Sequence, residues 1–575
     1  MYTSDRSIQI LIRLLKENKI KKVVASPGTT NAIFVASIQN DPDFELYSSA
    51  DERSAGYIAC GLAQESGEPV IITCTEATAS RNYLPALTEA YYRKLPILVI
   101  TGYHSMEAIG QLNPQSINRS SPPPDTVRLS VNVKSIKETS DDWFVNLQIN
   151  KAILELTRNG GGPVHINLQS SSKWQINNPN LIETRIIKRI NEHDVFPDLP
   201  QGRIAIVVGI HRRFTKKLEE TIESFCESNN AVVFADNISG YYGKYKINPS
   251  ILSSQKNYRS PVLNAKMVIH IGEIGAPRIN ASDYWRVSSD GEVRDSFKKL
   301  TYLFDMEEQT FFSSYIGKTE KDNEYYKACK SELKSFFNNK KEIPFSNVWI
   351  AEQIHDKIPQ PSIIHFGILN SYRSWNFFYL PIGVEGHSNV GGYGIDGGLS
   401  TLIGSSLASP DKIHFGVFGD LAFFYDMNSL GNRHIGNNLR ILLVNNGKGQ
   451  EFRNNIHPAS QLGDLGDSFV AAAGHFGNKS TDLVKHYSED LGFEYLSATC
   501  KKDFFVHLDK FLNPGINERP IIFEIFTTGA DESQALDIMT ELKTSPVIAA
   551  KKAIKESICK VVGDNAISII KNTIK

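Results

Sequence analysis

Residues 418–430, FGDLAFFYDMNSL, and residues 438–449, NLRILLVNNGKG, carry the pattern that decides the fold. Ile413, Phe415, Val417 and Phe418 make a short apolar run that ends on Gly419 and Asp420, and residues 441–444 make a second that ends on Asn445 and Asn446. Short, nearly continuous apolar runs are the mark of strands buried on both faces. Residues 423–430 read as a helix between them. This is a strand–helix–strand unit with an oxygen-bearing side chain at the carboxyl end of each strand, where open α/β sheets bind ligands. A carboxylate with an amide oxygen suits a hard cation such as Mg²⁺, which usually also takes phosphate oxygens. The unit therefore predicts a metal that holds a diphosphate. The same residues also fit an ordinary strand end and an ordinary turn, and a second motif upstream weighs between the two.

Outward from this unit, strand and helix signals alternate along most of the chain. Residues 22–25 lead into Ser26-Pro27-Gly28-Thr29-Thr30-Asn31 and a helix; strands follow at 70–74, 95–101 and 163–168. Such alternation predicts a doubly wound, mostly parallel sheet. The run Ser121-Pro122-Pro123-Pro124 must be loop, because consecutive prolines cannot donate to a ladder. After Trp174 the chain turns polar and reads as a linker or crossover. A second α/β segment has strands at 204–208, 232–234 and 267–271, and the charged stretch 318–332 reads as a surface helix. A third segment, from about 345 to 545, holds the opening motif. The expected fold is α/β, with three doubly wound, mostly parallel-sheet domains at 1–175, 176–340 and 341–545. A helical extension is expected over 546–575, where Ile554, Ile558, Val561, Val562, Ile567, Ile570 and Ile574 keep helical spacing around Gly563-Asp564. Its apolar stripe, with no aromatic residue, points to packing on protein rather than on a membrane.

Composition narrows the function. The 62 Lys and Arg nearly cancel the 63 Asp and Glu, so bulk charge gives no support to a nucleic-acid or membrane-surface partner. No stretch approaches the ~18 apolar residues of a membrane span. The amino-terminal stretch lacks the features of a signal peptide and reads as an amphipathic helix, with Ile8, Leu11, Leu14 and Leu15 on one face. The six cysteines are scattered without a CxxC, which fits a reducing cytoplasm and neither a zinc site nor a disulfide framework.

The second motif is FELYSSADERSAGYIACGLA, residues 44–63, which sets Glu52 at a strand-to-helix junction. A carboxylate there is often only a helix cap. Here it stands in an ordered series: SPGTTNA (26–32) precedes it, TCTEATASRNYLPALTEAYYRKLPILVITG (73–102) follows, and GGPVHINL (161–168) ends the segment. With the opening motif, in which twenty-six positions separate Asp420 from Asn446, this series resembles the thiamine diphosphate (ThDP)-dependent 2-oxo acid decarboxylases and carboligases. The resemblance covers nearly all of the first and third segments and is weak in the second. SNVGGYGIDGGLST (388–401) and GDLAFF (419–424) make it most similar, within these enzymes, to the SEPHCHC synthases of menaquinone biosynthesis, which join 2-oxoglutarate to isochorismate after decarboxylation.

The resemblance implies a role for each matching residue. Asp420, the Asn446 side chain and the Lys448 carbonyl are the implied ligands of Mg²⁺ or Mn²⁺. Gly419, Leu421, Phe452 and Thr78 would contact ThDP, and Ile395, among glycines that permit close approach, would bend it; the plain alternative for Ile395 is a core position. Glu52 would share a proton with N1′ of the aminopyrimidine, an exchange that an apolar enclosure favours by raising the carboxyl pKa. Gln115 falls, with one inserted residue, where the synthases carry an active-site glutamine. The implied assembly is a homodimer or homotetramer with active sites at the subunit interface.

The departures concern substrate. Thr30, Val390 and Trp375 stand where these synthases carry arginines for two polyanionic substrates; Arg373 is displaced by two positions, close to Ser371. No clear equivalent of a late basic pair exists around Gly275-Ala276-Pro277-Arg278, and Glu451 replaces an apolar residue beside the metal loop. Losing several charge-assisted bidentate contacts would cripple the binding of multiply carboxylated molecules. The main expectation is therefore decarboxylation of a 2-oxo acid and carboligation of the resulting enamine to an unidentified, less acidic acceptor, on the same scaffold. The alternatives are a genuine SEPHCHC synthase and a non-ligating decarboxylase. His104 and His457 fit a proton-donor role but equally a structural one. A nucleotide- or flavin-binding oxidoreductase finds no GxGxxG after a strand.

Overall fold

The computed structural model describes residues 1–171, 173–318, 322–338, 340–475, 479–546 and 548. It divides into two compact units, residues 1–196 with 290–305, and residues 197–289 with the chain from 306 onward.

The first unit is built on six parallel strands, in spatial order Glu45–Ser48, Lys22–Ala25, Val70–Cys74, Ile97–Tyr103, Val164–Gln169, Leu129–Val133. Helices cover both faces. On one, Arg6–Glu17 begins where the Asp5 carboxylate accepts from the amides of Ser7 and Ile8, and the apolar stripe Ile8, Leu11, Leu14, Leu15 is wholly buried. Each such side chain contributes roughly 1.5–3 kcal/mol through burial. On the other face, Glu52–Ser66 is capped by Asp51, whose carboxylate accepts from the Ser54 amide, and stops at Gly67 with φ +67°. The polar stretch after Trp174 is not a bare linker. Ile176–Asn178 pairs antiparallel with Tyr2–Thr3, and Lys188–Asn191 pairs in parallel with Leu300–Asp305. Short edge ladders are held by backbone hydrogen bonds, so they need no apolar alternation to announce them.

The second unit contains another six parallel strands, in the order Val384–Ser388, Ser362–Phe366, Ile413–Gly419, Leu439–Asn445, Ile521–Phe526, Glu494–Ala498. Numbered along the chain, both six-stranded sheets read 2-1-3-4-6-5, so the two units repeat one winding. Phe418, Phe423, Leu439, Ile441, Leu443 and Ile522 pack together on one side of the second sheet. The same unit also holds the parallel series Lys246–Ile247, Ala231–Phe234, Ile204–Val208, Met267–Ile271, Asp283–Val287.

Two element boundaries differ from expectation. The helix after the third strand spans Asp420–Asp426 and continues as the 3₁₀ turn Met427–Gly431, because extended Gly419 (φ −76°, ψ 164°) turns the chain directly from strand to helix. The charged stretch at 318–332 yields a helix over Glu324–Phe337, started by the Asn323 side chain accepting from the Tyr326 amide. The helical extension expected beyond Pro546 lies outside the described residues, Ile548 excepted. Among the described residues no helix is long and apolar enough to cross a membrane.

Candidate functional site

In the second unit the chain runs from Ser362–Phe366 outward to Val384–Ser388, then crosses back to Ile413–Gly419 on the other side. The carboxyl ends of Ser362–Phe366 and Ile413–Gly419 therefore flank a topological switch point, where doubly wound sheets open a crevice. Asp420 stands at its edge, 4% exposed. Its Oδ1 accepts from the Leu421 amide at 2.8 Å and its Oδ2 from the Gly447 amide at 2.6 Å. Burial pushes the carboxyl up to about 6 even though the amides of Leu421, Gly447, Asn446 and Lys448 favour the charged form. Beside it the Asn446 Oδ1 is buried with no hydrogen-bond partner. An orphaned amide oxygen near a buried carboxylate lacks a cation or donor to complete it. Among the described residues no cluster of three or more His, Cys, Asp or Glu is placed to hold a metal. A set of one carboxylate, one amide oxygen and a main-chain carbonyl is too sparse for a closed protein cage. It fits a hard ion that takes its remaining ligands from phosphate and water.

Buried groups hold this edge from behind. Asn445 donates to Glu524 Oε1 at 2.7 Å and the Tyr495 hydroxyl to Oε2 at 2.8 Å. Burial raises the Glu524 carboxyl, with the nearby Asp420 charge adding to it. Glu532 accepts from the Asn347 amide and the Thr527 hydroxyl, each at 2.9 Å, and from Asn370 at 3.3 Å. Full burial pushes its carboxyl up to about 7. None of these carboxylates was singled out by the sequence pattern, since an acidic residue in a strand or helix gives no local sign of facing inward.

A cavity of about 340 Å³ opens over the cradle, and Asp420, Leu421, Asn446, Lys448, Ile395 and Phe452 all line it. Gly419, Ser371 and Glu451 complete the expected residues on its wall. Phe452 meets the His457 ring edge-on at 5.3 Å, and His457 Nδ1 accepts from the Ala459 amide, a structural use of that histidine. Two guanidinium nitrogens of Arg373 donate to the two oxygens of Glu451 at 2.6 and 2.9 Å. Trp375, two positions on in the same helix, turns the opposite way: it is fully buried, with its indole N–H donating to Asn347 Oδ1 at 3.1 Å. Val390 is buried and does not line the cavity.

The first unit gathers a separate group at its own switch point, between Lys22–Ala25 and Val70–Cys74. Thr30 is buried there, its hydroxyl 2.8 Å from that of Thr75, and its side chain and backbone pack where a Cβ on Gly102 would sit. Glu52 opens its helix and is half-buried; its Oε2 accepts from Asn82 at 3.2 Å. Thr78 begins the short helix that carries Asn82 and is exposed. Gln115 is exposed on a loop with φ +66°. His104 presents its ring to solvent and lies on a carboxylate that sequence reasoning passed over: Glu76, 4% exposed, accepts from the His104 amide at 3.1 Å and lies 3.4 Å from its ring Nε2. Burial raises the Glu76 carboxyl despite the nearby Arg119 and His104. Arg119, also unforeseen, donates to the Gly102 carbonyl at 2.8 Å. The only signal for Glu76 was its place inside TCTEATAS.

Residues 6–121 match the family model described as the thiamine pyrophosphate enzyme, N-terminal TPP binding domain. The 2-succinyl-5-enolpyruvyl-6-hydroxy-3-cyclohexene-1-carboxylate synthase of Bacteroides fragilis is 31% identical over 571 residues, covering 94% of this chain and all of that protein. The proteins of the same name from Phocaeicola vulgatus and Flavobacterium johnsoniae are 28% and 27% identical, covering 92% of this chain and 96% and 97% of theirs. Among solved structures, a thiamine diphosphate-dependent 4-hydroxybenzoylformate decarboxylase of Rhodococcus jostii RHA1 aligns over 91% of this chain and 99% of that one, with 14% identity and a TM-score of 0.39.

Proposed function

The chain belongs to the family of the 2-succinyl-5-enolpyruvyl-6-hydroxy-3-cyclohexene-1-carboxylate (SEPHCHC) synthases, ThDP-dependent enzymes, and on that footing we propose that it decarboxylates a 2-oxo acid and joins the remaining acyl unit to an acceptor. The observation that carries this reading is the orphaned Asn446 Oδ1 beside buried Asp420, at a switch point, in a chain of which 94% aligns with the Bacteroides fragilis synthase.

In this reading Asp420, Asn446 Oδ1 and the Lys448 carbonyl hold Mg²⁺ or Mn²⁺ against the diphosphate. Gly419, Leu421, Ile395 and Phe452 would contact the cofactor, as would Thr78. Glu52 holds a proton at N1′ of the aminopyrimidine. When bound, ThDP supplies the electron sink that lets a 2-oxo acid lose CO₂. The chain's own part is to position the reacting groups and exclude water. Residues 1–175, 176–340 and 341–545 serve as pyrimidine-binding, central and diphosphate-binding domains, in a homo-oligomer that works in the cytoplasm on small molecules.

The substrates of first choice are 2-oxoglutarate and isochorismate, the pair the resemblance implies; alignment over 94% of this chain and all of the Bacteroides fragilis synthase supports them. A second reading keeps the chemistry and changes the substrates. It is favoured by Trp375 and Val390 being buried, and by Arg373 being engaged with Glu451. The test is CO₂ release by protein loaded with ThDP and Mg²⁺, from 2-oxoglutarate and then pyruvate and other 2-oxo acids, with and without isochorismate. Release is expected, and Glu52→Gln and Asp420→Asn should each lower it by at least ~100-fold. Silence across the whole panel would overturn the proposal.

A further inference from the structure

The pairing of Arg373 with Glu451 bears on which donor the site accepts. Glu451 lies in the turn Gln450–Arg453, directly after the Asn446–Lys448 loop, and lines the same cavity as Asp420, Asn446 and Ile395. Arg373 comes from the helix Asn370–Trp375 and lines an adjoining cavity of about 390 Å³; Leu369 and Tyr393 form the wall that the two cavities share. The contact is fork-to-fork, two guanidinium nitrogens on two carboxylate oxygens at 2.6 and 2.9 Å. Arginine uses this geometry to hold a carboxylate. The fork of Arg373 is thus already engaged by the chain's own carboxylate.

The other cations near the cavity do not replace Arg373. Lys448 Nζ is paired with Asp467 at 2.9 Å. Arg278 is exposed and lines only the adjoining cavity. The rest of the wall facing the cradle is largely apolar, with Ile368, Leu369, Ile395, Leu421 and Phe452. On the wall that this unit supplies, a donor bearing a second carboxylate must therefore either displace Glu451 from Arg373, leaving a like charge unpaired beside it, or rest its charge on neutral groups, with Asn347, Asn370, Ser371 and Gln450 among the apolar side chains. Both are unfavourable.

We propose that Glu451 determines donor specificity: by engaging Arg373 it penalises 2-oxo acids with a distal carboxylate and favours those with an uncharged side chain. This rests on the decarboxylase–carboligase reading above and deepens its second form.

The experiment compares 2-oxoglutarate with 2-oxobutyrate, a monocarboxylic donor without the second charge, as substrates of wild type, Glu451→Gln, Glu451→Leu and the double variant Glu451→Gln/Arg373→Met, all loaded with ThDP and Mg²⁺. Wild type should favour 2-oxobutyrate. Removing the Glu451 charge should shift the ratio of kcat/KM towards 2-oxoglutarate by about tenfold or more, mainly through KM, and the double variant should lose that gain. A second readout needs no turnover: glutarate should protect the Glu451 variants from thermal unfolding more than it protects wild type, with butyrate showing no such difference. A wild type that already prefers 2-oxoglutarate, or a ratio and a glutarate response unchanged in both Glu451 variants, would overturn the inference and leave the carboligase reading standing. No CO₂ from either donor or from any other 2-oxo acid would bring down both.

Discussion

Single residues around the cradle are under opposing electrostatic pressures. Asp420 is buried, which pushes its carboxyl up to about 6, while the amides of Leu421 and Gly447 point at its two oxygens and offset part of that by favouring the charged form. Glu532 is buried with Asn347, Asn370 and Thr527, all neutral, as its hydrogen-bond donors, and burial pushes its carboxyl up to about 7. The sign of its effect follows from proton uptake. Below the unfolded carboxyl range near 4.5 both states carry the proton, and between there and about 7 the folded state binds more protons than the unfolded state. Stability from this group is therefore fully present at low pH and is lost as pH rises through about 7. Glu532→Gln, which cannot ionise, should flatten this part of the profile. Urea unfolding at pH 5 and pH 7.5 should show wild type losing stability relative to the variant, by an amount on the order of 1–3 kcal/mol. Parallel profiles would mean that Glu532 titrates normally.

At the scale of elements, both switch points are closed by a turn that strains one non-glycine residue. Leu369 (φ +63°, ψ −111°) follows Ser362–Phe366 and starts the helix that carries Ser371 and Arg373. Ala77 (φ +51°, ψ −120°) follows Val70–Cys74 and starts the helix that carries Thr78 and Asn82. Side chains with a Cβ rarely adopt this region, and holding one there costs on the order of 1–3 kcal/mol. The short helices are thereby aimed from the strand ends into the crevices. Ala77→Gly should relieve the strain, offset in part by the greater freedom of glycine in the unfolded chain, for a net gain of about 1 kcal/mol in denaturant unfolding. A loss of stability would show that the surrounding contacts already accommodate the alanine.

For the whole molecule, the two units repeat one strand order, and each carries a carboxylate at the start of a helix that follows a parallel strand, Glu52 in one and Asp420 in the other. The interfacial assembly implied by the resemblance makes a complementation test possible. Glu52→Gln and Asp420→Asn chains, each inactive alone, should on mixing and re-association regain a substantial fraction of activity, because a mixed dimer combines intact halves of one site. Activity that stays at the level of the separate variants would place both groups in one chain's site.

How much was legible in the sequence varied with the physics involved. The strands ending at Gly419 and Asn445 were readable because a strand buried on both faces must be continuously apolar, and Asp420 and Asn446 were placed by their position at the ends of those runs. The ladders at Ile176–Asn178 and Lys188–Asn191 were not, since backbone pairing leaves no apolar signature. Glu76, Glu524 and Glu532 were equally hidden: burial of a carboxylate depends on neighbours brought from distant segments, such as Tyr495 and Asn347. The sequence by itself determined the doubly wound class and the residue types at the strand ends, because those follow from local periodicity. Only the tertiary structure decided that Arg373 faces Glu451 while Trp375 turns into the core, because a partner seventy-eight positions away is chosen by packing and not by local pattern.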